Sequence, residues 1–77
     1  MALEKNQAFI EAFAKRIRDL RVSKGYPMQE LADMMNIDRK QLTRIEQGKV
    51  NTSILVAYSL AKALEISLPE LFTFEVG

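Results

Sequence analysis

Three residues, Asn36-Ile37-Asp38, separate two stretches that each repeat their apolar positions at helical spacing, and so short a linker forces the two helices to pack against one another. Before the linker, "YPMQELADMMN" starts after Pro27, a residue suited to the first turn of a helix, with Leu31, Ala32, Met34 and Met35 on its apolar side. Ile37 within the linker and Leu42 and Ile45 after it fall on the apolar side of a helix predicted from Arg39 to Gln47, which Gly48 ends. Asn36 is among the few non-glycine residues that tolerate positive φ. Asp38 stands where a helix cap is needed, and Gln41 is placed to close a capping box.

The remainder of the chain is read as further helices. Phe9 or Ile10, Phe13, Ile17 and Leu20 define one from about Gln7 to Ser23. Arg18, Arg21 and Lys24 lie near its C-terminus, where the helix dipole favours cations, and Gly25 stops it. Thr52 or Ser53 caps a fourth helix running to about Glu65, with Ile54, Ala57, Tyr58, Ala61 and Leu64 facing inward. Ser67 and Glu70 form another capping box, opening a short fifth helix through Leu71 and Phe72. Phe72, Phe74 and Val76 then alternate in the pattern of a short strand, but five helices leave no room for a sheet and the class is all-α. Met34 and Met35 read as core filler.

Composition excludes several kinds of chemistry. Residues 1–77 form one small domain, 48% hydrophobic and 27% charged, and a chain this short buries only about 60% of its unfolded surface. It holds neither cysteine nor histidine, so disulfides, thiolate metal sites and the commonest general base are absent. Three glycines make no phosphate-cradling loop. The expectation is a protein that is not an enzyme and needs no cofactor or metal. The opening "MALEKNQAFIEAF" carries charges where a signal peptide would be apolar, and no run approaches a membrane span; a cytoplasmic location without a membrane partner is expected.

Net charge is +1, yet the positive charge is concentrated in residues 13–24 and 38–49, away from Glu65, Glu70 and Glu75. A domain with a basic side and an acidic side can orient itself against a polyanion. In the second block Arg39, Lys40, Thr43 and Arg44 follow the spacing i, i+1, i+4, i+5, a single stripe opposite Leu42 and Ile45. Taken alone, such a stripe is a solvated helix face. Behind a tight two-helix turn it is also suited to the major groove, where Arg binds guanine with two hydrogen bonds, Lys reaches the same acceptors or a phosphate, and Thr touches a thymine methyl. Gln41, when not engaged in a cap, is free to bond adenine. Lys15, Arg16 and Arg18 either solvate the first helix or contact phosphate at a distance, and Glu46 is structural, pairing with an arginine of that helix.

The segments "RIRDLRVSKG", "QELAD", "LTRIEQGK" and "LAKALEISLPELF", spread over Phe13 to Phe72, resemble the phage repressor and Cro-like helix-turn-helix family, the XRE type. That resemblance implies a compact five-helix, lambda-repressor-like domain with its helix-turn-helix at about residues 28–47, binding double-stranded operator DNA as a dimer. Arg39, Lys40, Thr43 and Arg44 would read bases. Lys49, Asn51 and Thr52, in the loop after Gly48, would hold phosphates together with Gln41 and the start of the second helix.

Two positions depart from the family pattern. Pro27 and Met28 replace a Ser or Thr cap followed by Gln, removing about 1 kcal/mol of capping and leaving Gln29 or its N–H to take over the phosphate contact. Asn36 stands where glycine is common. Leu55 and Val56 occupy positions that are usually polar in the family. Read as exposed, they form a subunit interface with Leu68, Phe72, Phe74 and Val76 of the 66–77 segment unless that tail packs over the chain's own core, and the resemblance favours a homodimer. The implied function is a dimeric repressor or autoregulatory controller on a pseudo-palindromic operator, similar to restriction-modification controller proteins, with contact to RNA polymerase as a further partnership. The alternative from another class is an antitoxin or protein-interaction module built on the same fold.

Overall fold

The computed structural model describes residues 3–76 and consists of five helices: α1 (Leu3–Ser23), α2 (Met28–Met35), α3 (Arg39–Glu46), α4 (Ile54–Leu64) and α5 (Leu68–Leu71). The class is all-α, as the periodicity requires. α1 starts four residues earlier than predicted, because nothing from Leu3 to Asn6 breaks a helix and the Gln7 amide donates to the Glu11 carboxylate one turn on (3.1 Å). Among the described residues there is no strand. The alternating Phe72, Phe74 and Val76 have no neighbouring edge with which to form a ladder. Phe74 instead lies against α1, with ring centroids 5.4 Å from Phe9 and 6.2 Å from Phe13.

Each of the first four helices closes in the same way. A residue at positive φ (Gly25, Asn36, Gly48, Glu65) reverses the chain. The following N–H then reaches back five residues, from Tyr26 to Arg21, Ile37 to Ala32, Lys49 to Arg44 and Ile66 to Ala61, at 3.0–3.1 Å. This is the Schellman closure, which satisfies carbonyls that a helix end leaves bare and normally sends the next side chain back onto the helix. Tyr26, Ile37 and Ile66 pack against the core in this way. Lys49 is exposed.

The N-termini divide into two kinds. Ser53 Oγ accepts from Val56 N and Ser67 Oγ from Glu70 N, each at 3.1 Å, so the caps of α4 and α5 form. Pro27 and Asp38 make no side-chain cap. The capping box expected from Asp38 and Gln41 is therefore corrected: the Asp38 backbone is extended, as a cap requires, but its exposed carboxylate bonds none of the first N–H groups of α3, where water competes for both.

All five helices contribute to one core. Ile17, Leu31, Leu42, Leu60, Leu64 and Leu71 are fully buried, with Phe13, Ala32, Met35, Ala57 and Ala61 around them. Four sequence assignments change. Met34 is exposed, because the three-residue turn aims Met35, not both methionines, at α3. Ile54 and Tyr58 share the helical phase of Ala57 and Ala61 but are exposed, since the core ends before it reaches them. Val56, expected outside beside Leu55, is half-buried against the core.

One guanidinium connects α1 to the two-helix unit. Arg21 donates through Nε and Nη2 to the Glu46 carboxylate (2.7 and 3.1 Å) and through Nη1 to the Tyr26 carbonyl (2.8 Å). The pair is 13% and 4% exposed. It confirms the structural role read for Glu46 and ties the last turn of α3 and the entry to α2 onto one side chain. Lys15 and Asp19 form a surface pair (78% and 57% exposed), and Arg16 turns to the Glu70 carbonyl at 2.7 Å.

Removing one partner of a buried pair costs about 3–5 kcal/mol, against about 4–12 kcal/mol of total stability for a chain of this length. Glu46→Ala should therefore bring the protein to the edge of unfolding in a urea melt, whereas Lys15→Ala should change stability by less than about 1 kcal/mol.

Candidate nucleic-acid interface

α3 is anchored on one face by Leu42 and Ile45, both buried, and at its last turn by Glu46, which leaves the opposite face to solvent. Arg39, Lys40, Thr43 and Arg44 together line one shallow surface depression there. The structure thus brings the four residues of the sequence stripe onto a common face. Thr43 Oγ1 donates to the Arg39 carbonyl (2.9 Å), which commits the hydroxyl to the backbone. Among the described residues the ion pairs are Lys15–Asp19 and Arg21–Glu46. Arg39, Lys40, Arg44 and Lys49 belong to neither, and all four are exposed.

A second groove, of about 490 Å³, joins that face to the α3–α4 loop, with Lys40, Gln41 and Arg44 on one side and Asn51, Thr52 and Ser53 on the other. Asp38 also lines it. Lys49 leads into this loop from the closure of α3. At that position a side chain usually folds back onto the helix, and the one closure without an apolar residue leaves an exposed cation at the start of the loop. The backbone beneath is held from behind. Gln7 donates to the Gly48 carbonyl (3.4 Å), and Glu11 of α1 packs close to Gly48. Gln29 lies in the neighbouring groove with Arg39 and Lys40, but its amide donates to the Asp33 carboxylate (2.8 Å), so any other contact requires breaking that bond.

A polycation on the outer face of the second helix of a tight pair, beside a loop that adds further donors, is an arrangement for binding a polyanion. A helix-turn-helix family model matches residues 17–71. The chain belongs to the XRE-type helix-turn-helix family. It is a DNA-binding transcriptional regulator of that type, similar to an uncharacterised HTH-type transcriptional regulator of Archaeoglobus fulgidus (33% identity over 60 residues, 78% of this chain and 86% of that one). A Pyrococcus abyssi relative of the same HTH-type designation is 32% identical, but the chain spans only 21% of its length. Among solved structures, the restriction-modification controller protein C.AhdI from Aeromonas hydrophila superposes with TM-score 0.76 at 35% identity, covering 82% of this chain and 94% of that one. The clp gene regulator ClgR from C. glutamicum reaches 0.80 at 26% identity, with 83% and 82% covered.

Of the residues named for a subunit interface, Phe72 is exposed as well as packed on α1. Leu55, Leu68 and Val76 are exposed, whereas Val56 is half-buried in the core. Phe72 stacks on Phe13 (5.3 Å) and Phe74 rests on Phe9, so the aromatic part of the tail covers its own α1. Exposed Phe9, Ile54 and Tyr58 were missed from the sequence, because helical phase places them with the core. No described helix is long and apolar enough to cross a membrane.

Gly48 has φ +68°, and an added Cβ would stand 3.4 Å from Glu11 Cγ and 3.5 Å from its Cα; at Gly25 (φ +77°) nothing lies within 4 Å. Gly48→Ala should lose more than about 1 kcal/mol, and more than Gly25→Ala in the same denaturation series, since only the first adds crowding to backbone strain.

Proposed function

We propose that this regulator binds a pseudo-palindromic operator as a C2 dimer, with α3 of each subunit in the major groove, and acts as a repressor or autoregulatory controller. The observation that carries the reading is the stripe of exposed Arg39, Lys40 and Arg44 with half-buried Thr43 among them, no carboxylate being paired to its cations among the described residues. An arginine held by a carboxylate would have to break that pair before reading guanine; these arginines do not. Lys49, Asn51 and Thr52 approach phosphates from the adjoining loop, joined by Gln41. The uncapped starts of α2 and α3 leave backbone N–H groups for the same purpose. The molecule measures 35 × 24 × 20 Å, so two abutting copies can set their reading helices one turn of DNA apart, about 34 Å. The similarity to a restriction-modification controller protein supports the autoregulatory form of the reading.

Selection of bound sequences from a random duplex pool at physiological salt tests this directly. An inverted repeat should be enriched; absence of any enriched sequence would overturn the reading in favour of a protein-interaction module. On the selected operator, Arg44→Ala should lose about 1–3 kcal/mol and relax one base position, whereas Lys49→Ala should weaken all sequences alike and lower the salt slope by about 1.

A further inference from the structure

Thr43 differs from its neighbours on the stripe. Arg39, Lys40 and Arg44 are exposed, whereas Thr43 is half-buried between them, in the depression that the four side chains line. Its hydroxyl gives its one proton to the Arg39 carbonyl one turn back (2.9 Å), which leaves none for the N7 or O6 of guanine or the O4 of thymine. The three cations keep their donors, since neither ion pair among the described residues includes them. Thr43 is thus the member of the stripe whose donor is already spent.

The same bond fixes what the side chain presents instead. A β-branched residue in a helix has few χ1 positions, and holding Oγ1 over the preceding turn leaves the Cγ2 methyl to face the depression. Around it, the arginines and the lysine carry aliphatic stems below their charges. A methyl among such stems makes an apolar niche beneath a ring of charge, and the chemistry it suits is another methyl. In the major groove that substituent is the C5-methyl group of a pyrimidine.

We propose that Thr43 determines specificity for a C5-methylated pyrimidine by reading the methyl group and not the hydrogen-bonding edge of the base, so that the niche takes thymine or 5-methylcytosine and disfavours uracil and unmodified cytosine. Binding is then sensitive to cytosine methylation: where a site carries cytosine at this position, adding the methyl strengthens the complex. The proposal rests on the reading of α3 as an operator-binding helix and names the chemical group that one of its positions takes.

The test uses the full chain and the operator selected from the duplex pool, made in versions that differ by a single methyl group. Each thymine of the half-site is replaced in turn by uracil, and at the position found sensitive cytosine is compared with 5-methylcytosine, each paired with guanine. The readout is the affinity ratio within each pair, from which a general change of affinity cancels. For the wild type, the thymine methyl at one position of the half-site should be worth about fourfold, the effect of burying one such group, and 5-methylcytosine should exceed cytosine by a similar factor. Thr43→Val, which keeps the methyl and lacks the hydroxyl, should retain both ratios. Thr43→Ser, which keeps the hydroxyl and lacks the methyl, should abolish both, with the helix content of the two variants unchanged by circular dichroism. Discrimination kept by Thr43→Ser and lost by Thr43→Val would overturn the proposal. So would a half-site in which no exchange of thymine for uracil matters, a sensitive position on which Thr43→Ser has no effect, or 5-methylcytosine that binds no better than cytosine. Failure to select any operator removes the operator reading and the proposal with it; a selected operator without the methyl effect at Thr43 removes the proposal alone.

Discussion

Arg21 and Glu46 form the contact on which the placement of α3 rests. α2 and α3 are eight residues each, too short to persist in water without tertiary support. The guanidinium reaches the last turn of α3 with two hydrogen bonds and the entry to α2 with a third. Leu42 and Ile45 hold α3 against the core, but apolar contacts are non-directional and permit small rotations about the helix axis. A bidentate pair does not. Its energetic worth against an apolar replacement is small, because desolvation offsets most of the attraction; its value lies in orientation, which decides where Arg39, Lys40 and Arg44 point.

The repeated Schellman closures carry this precision into the loops. Three of the four return an apolar side chain to the core, so each turn is fastened at its end as well as at its hinge. The fourth fastens through backbone alone and leaves Lys49 outside, while Gln7 and Glu11 steady Gly48 from α1. The loop proposed to face the nucleic acid is thus held at its base and polar at its surface, which would keep the conformational entropy lost on binding phosphate small.

Much of the fold was legible along the chain because the signals are local. The five helices, the left-handed Asn36, the Ser53 and Ser67 caps and the buried stripe Ile17, Leu31, Leu42 and Leu64 follow from periodicity and from residues that bond their own backbone. The basic stripe of the candidate site followed in the same way, since side chains at i, i+1, i+4 and i+5 share a face wherever the helix lies. Where a signal had competition, it failed. Asp38 had the right position for a cap but remained with solvent, and Glu65 adopts positive φ without being glycine or asparagine, since the closure around Ala61 and Ile66 over-determines it.

The residues alone therefore determined the class of fold, the two-helix unit, the cationic face and the family to which both belong, because each depends on neighbours within about one or two helical turns. Only the tertiary structure decided that Arg21 is the partner of Glu46, that Phe74 covers α1 instead of starting a strand, and that Ile54 stands at an open groove while Val56 is drawn inward. Helical phase states which side chains face the same way. Whether anything lies opposite them depends on where the other helices end, and that is set by packing between segments distant in the chain.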